Sequence, residues 1–252
     1  MIRSSYLCLI LLLVGTMAIA ADSNLYYFFE DNVDPALPTN SGGATQVMHF
    51  NPDTRQTTSV HKFGKGSMEV VGDPAEIRQH PAGFTSLPNE WSGAIHKMSV
   101  VTWIRPSITS QEIGILSRIT YPAPDGTILL RYIQTPYNYL TLSFISNNQN
   151  HYVLSDRFLC VLADEWVHMA VTFDEGKIVY YINGLPAGSG DVGIAFIPAI
   201  KEPARLEGFY SLPRGSYVDD FGLFMDRALS ATDIEKIYNN GLEEFLKTKP
   251  SH

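Results

Sequence analysis

The sequence predicts an all-β protein, a two-sheet antiparallel sandwich with one short C-terminal helix. Three observations carry this expectation. Short runs rich in β-branched and aromatic residues recur along the chain, punctuated by Gly, Pro, Asn and Asp. Several of these runs alternate apolar and polar residues, as half-buried strands do. Near the C-terminus a single stretch switches to helical spacing.

The first twenty residues read as an address. Met1-Ile2-Arg3 is a short positive start, Tyr6 to Gly15 is apolar, and Ala18-Ile19-Ala20 is a small-x-small cleavage site. These features predict a signal peptide over residues 1–20, with an uncleaved N-terminal anchor as the alternative. The apolar run is short for a bilayer span, and no second one comes after it, so no membrane span is expected once the signal is cleaved. Export leaves a domain over residues 21–246 and a tail over 247–252. The net charge of −8 becomes −9 when Arg3 departs. That balance argues against nucleic acid and anionic lipid, whose binding needs clustered Lys and Arg. Of the two cysteines, Cys8 leaves with the signal. Cys160, set among Phe158, Leu159, Val161 and Leu162, reads as an inert buried thiol.

In chain order, strands are expected at 26–29, 67–71, 98–105, 113–118, 127–134, 139–146, 151–154, 166–174, 178–182, 204–208 and 220–225, with 32–62 and 72–96 as longer polar connections. In the run from Trp166 to Phe173, Val167, Met169, Val171 and Phe173 form an apolar file, leaving His168 and Thr172 on the other side. Asp174–Lys177 and Asn183-Gly184 are turn sequences, so three consecutive antiparallel strands end at Leu185–Ala187. Gly188-Ser189-Gly190-Asp191-Val192-Gly193 matches a dinucleotide-binding spacing, but no helix pattern comes after it, and it reads as a loop. Ser230 and Asp233 form an approximate capping box, and Ile234, Ile237, Tyr238 and Leu242 give one apolar stripe on the helix it opens.

The order of these pieces resembles a known pattern. Tyr26–Glu30, Phe63–Val70, Met98–Pro106, Ile115–Arg118, Glu165–Asp174, Tyr181–Gly184, Tyr217–Phe224 and Arg227–Ser230 together resemble the LamG-like jelly-roll family of concanavalin A-like lectin/glucanase domains. The resemblance implies two stacked, curved antiparallel sheets and a recognition role in exported proteins, often with one structural calcium ion. It places that ion at Asp219, with Glu30 or Asp31 and carbonyls near Gly64 to Gly66. Alternation puts Asp219 on the same strand face as Phe221, Leu223 and Met225, where a carboxylate needs a metal, hydrogen bonds or a positive partner. A calcium-free Asp219 that caps a turn or pairs with an Arg is the alternative.

No catalytic signature is found. Glycosidic hydrolysis needs two carboxyls facing one sugar, whereas Glu165 and Asp174–Glu175 merely bracket a strand. No Gly-x-Ser-x-Gly elbow occurs, and the seven histidines show no metal spacing. Tyr132, Tyr137, Tyr139 and Tyr152 offer either a sugar platform or core or rim packing. Arg118 and Arg131 read as anion-binding groups on a concave face or as protective edge charges. The leading expectation is a secreted, non-catalytic module for a glycan or an extracellular protein, with calcium as a structural ion. The alternatives are a divergent polysaccharide hydrolase or lyase, the latter using His168, Arg131 and Tyr132, and a structural or envelope-associated protein.

Overall fold

The computed structural model describes residues 24–29, 53–72, 93–107, 112–119, 122–133, 138–156, 163–200, 205–225 and 227–248. Within them the strands are β1 (Leu25–Tyr27), β2 (Thr54–Thr57), β3 (Ser67–Val70), β4 (Lys97–Arg105), β5 (Glu112–Ile119), β6 (Ile128–Ile133), β7 (Tyr139–Ser146), β8 (Gln149–Leu154), β9 (Val167–Asp174), β10 (Lys177–Ile182), β11 (Leu185–Asp191), β12 (Arg205–Gly208) and β13 (Tyr217–Phe224). Two helices complete the described elements, α1 (Ala231–Asn240) and α2 (Leu242–Lys247). No helix among the described residues is long and apolar enough to cross a membrane.

The strands form two antiparallel sheets. The eight-stranded sheet runs β11-β10-β9-β4-β13-β3-β2, and β1 pairs with the second half of β13. The five-stranded sheet runs β12-β5-β6-β7-β8. Alternation explains what fills the space between them. Met98, Val100 and Ile104 of β4, the file Val167, Met169, Val171 and Phe173 of β9, and Leu140, Leu142 and Phe144 of β7 all join one apolar core. Phe144 meets Phe173 edge-on across the sheets, with ring centroids 5.9 Å apart. The Tyr180 hydroxyl ties the layers directly, accepting from the Leu142 amide at 2.7 Å and donating to the Val153 carbonyl at 2.6 Å.

Four expectations are corrected. First, β2 lies inside the stretch expected to be polar connection. Its Thr-Arg-Gln-Thr has no apolar alternation to announce it, yet it pairs with β3 in full register. Second, Gly188-Ser189-Gly190 is strand, not loop: β11 continues to Asp191. The glycines are needed because β11 closes one side of the sandwich against β8. A Cβ on Gly188 would stand 2.4 Å from the Asp156 amide, and one on Gly190 2.7 Å from Val153. Third, the C-terminal stripe is split at Gly241 into two helices, the first opened by the expected capping box, since Ser230 Oγ accepts from Asp233 N and Asp233 Oδ2 accepts from Ser230 N.

The fourth correction concerns Asp219. The pairing of β13 with β4 shifts between Asp219 and Gly222, and Asp220 takes a positive φ of 47°. This bulge leaves Val218, Phe221 and Leu223 in the core and turns Asp219 away from them. Strict alternation fails here because one extra residue changes the face.

Candidate functional site

The outward faces of the two sheets differ. On the eight-stranded sheet, Val101, Ala170, Tyr181 and Phe224 pack against Ile234, Ile237, Leu242 and Phe245, so α1 and α2 cover this face. Its polar side chains fasten the cover. Ser99 Oγ accepts from Leu229 N at 2.8 Å and donates to the Arg227 carbonyl at 3.0 Å. Asp220 Oδ2 accepts from Leu242 N at 2.8 Å, the first residue of α2.

Asp219, Trp103 and His168 form one cross-strand row under this cover. Asp219 Oδ2 accepts from Lys62 N at 2.7 Å and Phe63 N at 3.1 Å, and Oδ1 from Asp220 N at 2.8 Å. Burial, and then the neighbouring Asp220, push its carboxyl above the usual range, with the three amides opposing. The Trp103 ring stacks on Tyr238 at 5.3 Å, with the Lys62 ammonium 4.4 Å from the Trp103 centroid. His168 lies 5.2 Å from Trp103 and 5.9 Å from Tyr238, fully enclosed. Burial pushes its imidazole down to about 3. His168 is therefore not a cleft residue.

Of the residues assigned to calcium, Asp219 and Gly64 are described, while Glu30 and Asp31 lie outside the described residues. The Asp219 carboxylate is engaged as a cap on the Lys62–Phe63 turn, which occupies both lone pairs of Oδ2 and leaves Oδ1 one acceptor position. Among the described residues no group of three or more His, Cys, Asp or Glu is placed to hold a metal ion.

The five-stranded sheet has no helical cover among the described residues. Its outward side chains fall in cross-strand rows: Arg131, Thr141 and Leu154 in one, Leu129, Ser143 and Tyr152 in the next, with Ile133 opposite Tyr139. Tyr152 is 57% exposed and Leu154 44%, whereas Thr141 and Ser143 between the larger residues are only 4% and 3% exposed. The face is thus a trough whose exposed walls are Tyr152, Leu154 and part of Arg131, with Thr141 and Ser143 buried between them. At one end Arg131 Nη1 donates to Glu112 Oε1 at 3.4 Å, and the Tyr210 hydroxyl donates to the same oxygen at 3.4 Å. Burial, chiefly, and Glu112 raise the Tyr210 phenol.

The predicted site residues separate on this scaffold. Of the four tyrosines, Tyr139 and Tyr152 share the trough, Tyr132 is a fully buried core residue, and Tyr137 and Cys160 lie outside the described residues. Arg118 neither lines a face nor guards an edge. It points inward, 1% exposed, and donates to the carbonyls of Gly126, Gly93 and Pro198 at 2.8, 3.2 and 2.9 Å. Desolvation lowers its guanidinium to about 10. His168, Arg131 and Tyr132 do not converge, since they lie on the covered face, on the open face and in the core between. Sequence reasoning missed Glu112 and Tyr210. The legible signal was Gly114 inside β5: a Cβ there would collide with the Tyr210 ring at 1.9 Å.

Comparisons place this architecture. The family model described as concanavalin A-like lectin/glucanases superfamily (Laminin_G_3) matches residues 79–235, more than half of the chain, and the chain belongs to this superfamily. Comparison with curated protein sequences gave no match. Among solved structures it is similar to the botulinum neurotoxin serotype G binding domain, at 16% identity and a TM-score of 0.62 over 85% of this chain and 50% of that one. The serotype D ligand-binding domain in complex with N-acetylneuraminic acid gives 14% and 0.58, over 87% and 51%. Domain 4 of AbnA, an extracellular arabinanase from Geobacillus stearothermophilus, in complex with arabinotriose, gives 16% and 0.57, over 85% and 97%. The chain spans about half the length of the toxin domains. These neighbours are binding domains, and at such identities they share the fold.

Proposed function

We propose that this chain is an exported, non-catalytic recognition module that binds a glycan in the trough on the open face of its five-stranded sheet. The observation that carries the reading is the contrast between the two outward faces. One is sealed by helices, and the other presents an exposed tyrosine with the partly exposed Arg131 in the neighbouring row, a ring that stacks on a sugar and a donor that hydrogen-bonds it. Solved complexes of two fold neighbours with saccharides support it. Export rests on residues 1–20 and is checked by sequencing the N-terminus of the protein recovered outside the cell.

The binding test is an immobilised glycan array probed with the mature chain and its Tyr152→Ala variant. Saturable binding to a sugar class, weakened in the variant, is expected. Binding that Tyr152→Ala leaves untouched would remove the trough as the site, and self-association through this face would show in sedimentation as a dimer disrupted by the same substitution.

Calcium enters the proposal as a structural ion, held through the remaining acceptor position of Asp219 Oδ1, Glu30 or Asp31, and the Gly64 carbonyl. Chelation should then lower the thermal midpoint, and a midpoint indifferent to chelator and to added calcium would leave Asp219 as a turn cap alone.

A further inference from the structure

The five-stranded sheet carries two arginines that invite comparison. Arg118 of β5 faces inward, and each of its three nitrogens donates to a backbone carbonyl. That is the usual fate of a buried guanidinium, because an orphaned donor away from water is costly. Arg131, on the neighbouring strand β6, faces the trough, and its side chain is 29% exposed. Its bond to Glu112 is long, at 3.4 Å, and involves one nitrogen. Its Nε is buried and has no hydrogen-bond partner among the described residues. A guanidinium offers five N–H donors in a planar fork. Among the described residues most of that fork is left without a protein acceptor.

We infer that Arg131 is the anchor for a carboxylate-bearing ligand, so the glycan of the proposed function is an acidic saccharide whose carboxylate pairs with the guanidinium fork. This rests on the trough being the glycan site. Planar carboxylate geometry suits the fork, and a charge-assisted pair is stronger than a neutral hydrogen bond. Glu112, held also by the Tyr210 hydroxyl, is a positioning residue: it fixes the guanidinium plane through Nη1 and leaves the Nη2 side of the fork for the ligand. Tyr152, in the next row and 57% exposed, is placed to meet a sugar ring attached to the carboxylate. The acidic character of the whole chain does not oppose this, because at about 0.15 M salt charges beyond roughly 8 Å are screened while the contact pair is not.

The experiment uses matched pairs on one array and in calorimetry: sialyllactose against lactose, and an oligogalacturonate against the neutral galactose oligomer. The expected result is binding of an acidic member at least 10-fold tighter than its neutral partner. Arg131→Gln should weaken the acidic ligand roughly 10- to 100-fold, the loss of a charge-assisted pair, and weaken the neutral ligand by far less, so that the acid preference disappears. Arg131→Lys keeps the charge without the fork and should fall between the two. Unchanged circular dichroism and thermal midpoint in both variants would separate lost recognition from lost fold. Equal affinity for both members of a pair, or an acid preference that survives Arg131→Gln, overturns the inference and leaves the glycan reading standing. Silence in every arm, neutral sugars included, overturns the glycan reading and this inference with it.

Discussion

The two outward faces of this sandwich are built from the same kind of alternating strand, yet one is interior under its helical cover and the other is in part surface. On the eight-stranded sheet the outward file of β9 contains His168, Ala170 and Thr172, all buried. On the five-stranded sheet the outward residues of β8 include Tyr152 and Leu154, both exposed. The segment after β13 makes the difference. The helices α1 and α2 dock across the first face, and polar side chains that would otherwise meet water become tethers for them. Alternation tells which residues share a side, and a later part of the chain decides whether that side meets solvent.

The comparison breaks most visibly if the cover is loosened. Ile237 of α1 is fully buried against the covered face, and Ile237→Ala should cost about 2–5 kcal/mol in chemical denaturation. A cost near zero would mean that the helices do not seal this face. Next comes the row beneath them. Asp219→Asn turns an amide group toward the amide donors that the carboxylate now satisfies, and about 1–3 kcal/mol should be lost. Asp219→Asn as stable as the parent would remove the capping role.

The covered face should also show in pH dependence. His168 has a folded value lowered to about 3 against about 6.5 for a free imidazole. Its stabilising contribution is therefore full above about 6.5 and is lost as pH falls towards 3, with a slope of at most about 1.4 kcal/mol per unit. Asp219, raised when folded, has the opposite sign: its contribution is present at low pH and is lost as pH rises through its folded value. His168→Leu should remove the first effect and leave the second, so that in acid the variant gains on the parent. Parallel pH profiles for the two proteins would place His168 in contact with water.

The smallest stability effect belongs to the open face. Tyr152→Ala should change stability by no more than about 0.5 kcal/mol, while weakening the proposed glycan roughly 3- to 10-fold. A large loss of stability instead would show Tyr152 to be covered and would end the contrast between the faces.

Much of this was legible from residue order. The β9–β10–β11 meander comes from Asp174–Lys177 and Asn183-Gly184 between alternating runs, and the capping box marks where α1 begins. The bulge at Asp219–Asp220 was not legible, because nothing in Tyr217–Phe224 distinguishes an extra residue from regular alternation. Nor was β2, whose polar residues acquire strand geometry by pairing with β3. The roles of Arg118 and Arg131 were also closed to the sequence, since both sit in apolar strands of similar composition.

By itself, then, the sequence determined the all-β class, most strands, the start of the C-terminal helical segment and the inward file of β9, because these depend on local periodicity and turn chemistry. The tertiary structure alone decided that Asp219 and His168 are enclosed, that Arg118 is a strut, and that Arg131 and Tyr152 share the outward face of the five-stranded sheet over a buried Thr141. Those facts depend on register shifts and on contacts between residues far apart in the chain, such as Arg118 with Pro198 or Ser99 with Leu229. Such contacts form only when both sheets and their helical cover are assembled.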